Sequence, residues 1–188
     1  CAVVAAALWR PGLAGAGGWR LGAGAAGRLW VRAPAGALGE APPASLESVF
    51  DLASLSKPVT ALCLARLERL GVVSRAQRLG EILPELAGTP AAASSLDLLS
   101  AHRAGLEAHL EMFVKEPGAQ QPHRRDVLFR AASARRAECL GEPPEEGFAP
   151  LYSDLGYILL GAGLEAATGR PLDELVHDDV LRVGDVGE

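Results

Sequence analysis

Residues 50–60 read FDLASLSKPVT and place a serine, Ser54, three positions before a lysine, Lys57. From there to Gly71, apolar residues recur at helical spacing, with charged residues between them. The recurring positions are Val59, Leu62, Cys63, Leu67 and Leu70. The stretch predicts a helix that begins near Ser54 and ends at Gly71, since glycine commonly follows a helix C-terminus.

The spacing of Ser54 and Lys57 suits a nucleophile and its base. Residues three apart lie on one face of a helix, so the Lys57 amine can reach the Ser54 hydroxyl, accept its proton and leave an alkoxide. Lys57 must be neutral to do this, which requires burial or nearby positive charge to lower its pKa. The N–H groups at the helix start face the reacting carbonyl, and the Ser54 N–H can donate to an oxyanion. The alternative is a capping serine beside an ordinary surface lysine.

A second segment, residues 150–161, reads PLYSDLGYILLG. It sets Tyr152 and Asp154 directly before a helix predicted over residues 154–167, with Gly169 as its stop. Apolar residues line one side of that helix: Leu155, Ile158, Leu159, Ala162 and Ala166. A tyrosine in this place can carry protons. Alternatively, Ser153 or Asp154 only caps the helix and Tyr152 packs at its edge.

Together with residues 98–106 (LLSAHRAGL), these segments resemble a known family of serine hydrolases. They are similar to the nucleophile segment, the Y-x-N element and the L-L-x-H-x-x-G-L segment of the β-lactamase-related and penicillin-binding-protein family, which includes class C β-lactamases and D-Ala-D-Ala carboxypeptidases. The resemblance implies Ser54 as nucleophile, Lys57 as base and Tyr152 as the proton shuttle to the leaving group. It implies a structural role for His102.

Asp154 differs from the asparagine that is commoner at this place in the family. An asparagine amide can donate a hydrogen bond to a substrate carbonyl, whereas an ionised carboxylate only accepts. The sequence therefore places Asp154 in substrate binding with an altered preference, or in an ion pair with Lys57.

The fold implied by the resemblance is α+β, of the β-lactamase/transpeptidase type, in which an antiparallel sheet packs against a mostly helical region. Residues 1–188 would form part of such a domain: 1–48 the N-terminal strands and a loop, 49–188 the helical region. Residues 2–9 and 18–24 are predicted to form a hairpin. Further helices are predicted after Ser95 as N-cap and from Pro171, with Leu172, Leu175 and Val176 inward.

The family's third motif, K-T-G or H-x-G on a late strand, does not occur in residues 1–188. The resemblance extends well over residues 45–181 and loosely over 1–44. The motif's backbone N–H supplies the second oxyanion donor, and losing one such donor costs about 3 kcal/mol in catalysis. We therefore expect a fragment whose parent is the enzyme.

Composition excludes several other classes. The net charge is -5 and no basic stripe carries aromatic residues, so nucleic-acid binding is not expected. The three cysteines form no C-x-x-C pair, and H-E-x-x-H is absent, so no metal is expected. No stretch approaches the length of a membrane span. Residues 22–27 match G-x-G-x-x-G, but the segment after them is too short for the helix that dinucleotide binding requires, so no cofactor is expected.

The sequence thus predicts a serine hydrolase that forms an acyl-enzyme from a β-lactam, a D-alanyl peptide or an ester. The alternative is a non-catalytic relative with the same fold, acting as a binding or structural module. Only Lys57 and Lys115 are lysines, and Ala, Gly, Leu and Arg dominate, as is typical of a GC-rich bacterial genome. The sequence leaves both the cell envelope and the cytoplasm open as locations, and it does not give the oligomeric state.

Overall fold

The computed structural model describes residues 20–23, 29–32, 53–112 and 120–182, the first two ranges by their backbone. The chain divides into two compact units, Cys1–Ser54 and Leu55–Glu188. In the first unit, β1 (Arg20–Ala23) pairs antiparallel with β2 (Leu29–Arg32), and Arg20 lies opposite Arg32. β1 falls within the strand predicted over 18–24. Its described partner is β2, and residues 2–9 lie outside the described residues.

The regular structure in the described part of the second unit is helical, apart from two isolated β-bridges, Arg78 with Ser95 and Leu106 with Arg135. Its helices are α1 (Ser56–Arg69), α2 (Leu79–Ile82), α3 (Leu96–Ser100), α4 (Arg124–Ser133), α5 (Asp154–Thr168) and α6 (Leu172–Val176). Short 3-10 turns precede α1 at Ala53–Leu55 and connect α2 to α3 at Pro84–Leu86 and Pro90–Ala93. A π-helical turn, His177–Leu181, follows α6. None of the described helices is long and apolar enough to cross a membrane.

Helix α1 begins two residues later than predicted, because Ala53–Leu55 form a 3-10 turn. Its buried side carries Thr60, Cys63, Leu64 and Leu67. Leu62 and Leu70, which the apolar pattern placed with Cys63, are 58% and 50% exposed. The pattern was therefore wrong about these two leucines, since the buried face lies closer to Leu64. Gly71 follows the helix with a φ of 73°, as its predicted stopping role requires.

Helix α5 is the centre of the second unit, where it packs against α1, α2, α3, α4 and α6. Leu155, Leu159, Leu160 and Leu164 are fully buried. Ser153 caps the helix, because its hydroxyl accepts a hydrogen bond from the Gly156 N–H at 3.3 Å. The helix ends as predicted at Gly169, whose φ is 69°. Ala166 is exposed, against the prediction. Leu160 and Leu164 are buried although they were not among the residues of the predicted apolar side, so the buried surface of the helix is wider than predicted.

The shorter elements follow the sequence closely. Ser95 caps α3, and its hydroxyl accepts from the Leu98 N–H at 3.2 Å. Arg124, Arg125 and Arg130 of α4 are exposed and give this helix a solvated, charged face. Leu175 of α6 is buried, as predicted, and Leu172 and Val176 are half-buried.

Candidate active site

The first turn of α1 and the N-terminus of α5 meet through an ion pair. The Lys57 ammonium donates to Asp154 Oδ1 with an Nζ–Oδ1 distance of 2.6 Å. The Lys57 side chain is only 12% exposed and that of Asp154 is 39% exposed. Of the two readings that the sequence left open for Asp154, the structure therefore contains the ion pair.

This pairing sets the charge of both groups. Burial lowers the pKa of Lys57, but hydrogen bonds with Asp154 and Tyr152 outweigh it, so the pKa lies above its ordinary value of 10.5. The hydrogen bond from Lys57 holds the pKa of Asp154 below its ordinary value, against the effect of burial. At neutral pH the pair is an ammonium and a carboxylate. Lys57 thus differs from the neutral lysine that the sequence argument required.

Tyr152 lies beside the same amine. The Lys57 Nζ atom is 4.8 Å from the centre of the Tyr152 ring and 5.9 Å from that of Tyr157. A cation at such distances is attracted by the ring face. The structure therefore brings Lys57, Tyr152 and Asp154 together.

The His102 ring packs against the rings of Tyr152 and Tyr157. Its ring centre is 4.6 Å from that of Tyr152 and 5.1 Å from that of Tyr157. Its Nδ1 atom accepts a hydrogen bond from the Ser153 N–H at 3.0 Å, so Nδ1 carries no proton. Burial and the charge on Lys57 both lower the pKa of His102. These contacts agree with the structural role expected of His102.

The segment 107–109 runs along the start of α5 and fixes it. The Asp154 N–H donates to the Ala108 carbonyl at 2.8 Å, and the Ser153 hydroxyl donates to the Glu107 carbonyl at 2.6 Å. These two hydrogen bonds join the start of α5, and with it Tyr152 and Asp154, to the backbone of segment 107–109.

His109, at the end of this segment, was not predicted as a site residue. Its Nδ1 atom lies 3.0 Å from Asp154 Oδ2, whereas the Lys57 ammonium donates to Oδ1. No local motif marks this histidine, because its partner Asp154 is 45 residues away in the sequence. Tyr157, whose hydroxyl donates to the Ser100 carbonyl at 3.0 Å, was missed for a similar reason.

Ser54 lies in the 3-10 turn directly before α1 and is exposed. Ala53, the residue before it, has a φ of 44°, a conformation that non-glycine residues seldom adopt. Backbone strain of this kind is concentrated at functional sites. Within the described residues, no cluster of three or more His, Cys, Asp or Glu side chains forms a metal site.

Comparison with known proteins assigns the chain to a family. The family model described as Beta-lactamase matches residues 3–186. Penicillin-binding protein 4* of Bacillus subtilis (strain 168) is 29% identical over 143 residues, covering 74% of this chain and 30% of that protein. A putative D-alanyl-D-alanine carboxypeptidase of Escherichia coli (strain K12) is 26% identical over 147 residues, covering 74% and 33%. The chain thus spans about a third of the length of these curated relatives.

The fold agrees with this. A class C β-lactamase of Rhodobacter sphaeroides superposes with a TM-score of 0.58 at 23% identity, covering 83% of this chain and 41% of that one. At this identity the likeness concerns the fold alone, which is of the β-lactamase/transpeptidase type.

Proposed function

The chain belongs to the β-lactamase family, and from that premise we propose that it carries the nucleophile, base and proton shuttle of a serine hydrolase that works through an acyl-enzyme. The observation that carries the proposal is the meeting of Lys57, Tyr152 and Asp154 at the start of α1, three residues after Ser54. The proposed fold is α+β, of the type in which an antiparallel sheet packs against a mostly helical region.

The proposed chemistry assigns one step to each residue. Ser54 Oγ attacks a substrate carbonyl and gives its proton to the neutral form of Lys57, so that an ester bond to Ser54 forms. Lys57 passes the proton through the Tyr152 hydroxyl to the leaving group, which departs. Water then attacks the ester by the reverse route and releases the acid. Backbone N–H groups at the start of the helix stabilise the oxyanion in both halves.

The substrate follows from the relatives' names and from Asp154. A penicillin-binding protein and a putative D-alanyl-D-alanine carboxypeptidase suggest D-alanyl peptides, with β-lactams and simple esters as compounds of the same acyl chemistry. Asp154 only accepts hydrogen bonds, so it favours a substrate that offers an N–H in place of the carbonyl that asparagine would bind.

A second candidate is a non-catalytic relative that binds ligands or partners with the same fold. The ion pair favours it, because a carboxylate at 2.6 Å keeps Lys57 protonated and so opposes proton acceptance. The proposal above requires that a fraction of Lys57 still loses its proton near neutral pH. The two candidates therefore differ in whether Ser54 reacts.

A fluorophosphonate probe, applied to the intact gene product, separates the candidates. We expect the probe to label the protein and peptide mapping to find it on Ser54. Ser54→Ala should abolish labelling, whereas Ser133→Ala, an exposed serine on α4, should leave it unchanged. Labelling that survives Ser54→Ala would refute Ser54 as nucleophile. A folded protein that takes no label would favour the binding module.

A further inference from the structure

We infer that His109 is a positioning residue for the acyl-transfer site: it holds the Asp154 carboxylate in the orientation that places Lys57 beside Tyr152. The inference rests on the proposed function and adds to it a residue outside the three motifs. The two oxygens of the Asp154 carboxylate have separate partners. Oδ1 accepts from Lys57 Nζ at 2.6 Å, and Oδ2 lies 3.0 Å from His109 Nδ1.

Chemistry fixes the direction of the second contact. Asp154 is ionised, because its pKa lies below the ordinary value, and a carboxylate only accepts hydrogen bonds. His109 Nδ1 must therefore carry the proton and donate it. His102 shows the opposite arrangement, since its Nδ1 accepts from the Ser153 N–H. The two histidines flank Asp154 and its neighbours with opposite ring nitrogens protonated.

The backbone supports a fixed place for His109. The adjoining Ala108 carbonyl accepts from the Asp154 N–H at 2.8 Å, and the Glu107 carbonyl accepts from the Ser153 hydroxyl at 2.6 Å. On the other side, the Glu107 N–H donates to the Ala134 carbonyl at 2.9 Å. The His109 imidazole therefore belongs to the same segment, 107–109, whose backbone is hydrogen-bonded to the start of α5. The side chain itself is 60% exposed.

The consequence for Asp154 is a loss of rotational freedom. A carboxylate with one partner turns about its Cβ–Cγ bond, and the angle at which it meets Lys57 then varies. With donors on both oxygens, the carboxylate plane is fixed and the Lys57 ammonium stays near the Tyr152 ring, at 4.8 Å from its centre. Misplacing such a group by about 1 Å costs up to roughly a hundredfold in rate.

The test compares two replacements for His109. Asparagine places an N–H near the position of Nδ1, whereas alanine removes the donor. We expect His109→Ala to slow fluorophosphonate labelling of Ser54 about tenfold, as is typical for loss of a hydrogen bond to a charged group. His109→Asn should stay within about threefold of the unmodified protein, because it keeps the donor. His123→Ala, an exposed histidine before α4, is the matched control and should have no effect.

A double-mutant cycle separates positioning from a merely structural role. In an Asp154→Asn background no carboxylate remains to be oriented, so adding His109→Ala should change the labelling rate less than about twofold. Equal labelling of the unmodified protein, His109→Ala and His109→Asn would overturn the inference and leave the proposed function standing. So would a tenfold loss that persists in the Asp154→Asn background.

Imidazole ¹⁵N spectra decide the matter if the unmodified protein takes no label, in which case the proposed function fails. Asp154→Asn should then move the His109 Nδ1 resonance and leave that of His123 in place, which supports the orienting contact. An unmoved His109 resonance would overturn the inference.

Discussion

At the scale of single residues, Asp154 decides what Lys57 can do. The carboxylate raises the pKa of Lys57, although burial acts against it. A base with a raised pKa is neutral only at high pH, so the rate of a reaction that needs the neutral amine increases with pH until the raised pKa is passed. With aspartate in place of asparagine at position 154, the proposed reaction is therefore expected to be fastest at alkaline pH.

Replacing Asp154 with asparagine tests this dependence. In the unmodified protein, labelling of Ser54 should accelerate about tenfold per pH unit, without a plateau below the ordinary lysine value of 10.5. Asp154→Asn removes the raising contact while burial remains, so the pKa of Lys57 falls and the plateau begins at lower pH. Labelling rates measured from neutral to alkaline pH will show the shift.

Asp126→Asn, an exposed carboxylate on α4, serves as the control and should leave the profile unchanged. A profile that does not move in Asp154→Asn would mean that Lys57 is not the base. The proton of Ser54 would then have to pass to another group.

At the scale of elements, the start of α5 connects stability to the site. Ser153 is 3% exposed, and its hydroxyl both accepts from the Gly156 N–H and donates to the Glu107 carbonyl. The cap therefore does two things: it satisfies the first turn of the helix and attaches that turn to the segment that ends at His109.

Ser153→Ala should destabilise the protein by about 2 kcal/mol, because a helix cap and a buried hydrogen bond are lost together. Ser133→Ala, at an exposed position on α4, should change the free energy of unfolding by less than about 0.5 kcal/mol. Urea unfolding followed by circular dichroism measures both. A loss for Ser153→Ala as small as that of the control would show that water replaces both of its partners.

The same elements show how far sequence reasoning extends. The cap at Ser153, the stop at Gly169 and the helix before it depend on neighbours within a few residues, so the sequence predicts them. His109 and the exposed Leu62 depend on which loop or helix packs beside them, and periodicity carries no such information. The charge of Lys57 was predictable only in part. The sequence raised an ion pair with Asp154 as one alternative, and the 2.6 Å contact selects that alternative.

At the scale of the whole molecule, one helix organises the described part of the second unit. α5 contacts α1, α2, α3, α4 and α6, and its buried leucines belong to one hydrophobic core with side chains of these helices. Lys57 on α1 and Asp154 on α5 can meet reproducibly because this core fixes the two helices relative to each other. The site therefore depends on packing well away from its own polar groups.

Leu159→Ala tests that dependence. Leu159 is fully buried, so its truncation leaves a cavity that the surrounding helices fill only in part. We therefore expect the free energy of unfolding to fall by about 3 kcal/mol. Leu140→Ala, at a position 80% exposed, should cost less than about 0.5 kcal/mol. Trp9, Trp19 and Trp30 all belong to the first unit, so the helical circular dichroism signal is the appropriate probe for the second. Equal urea midpoints of unfolding for Leu159→Ala and Leu140→Ala would mean that the stability of the second unit does not depend on α5.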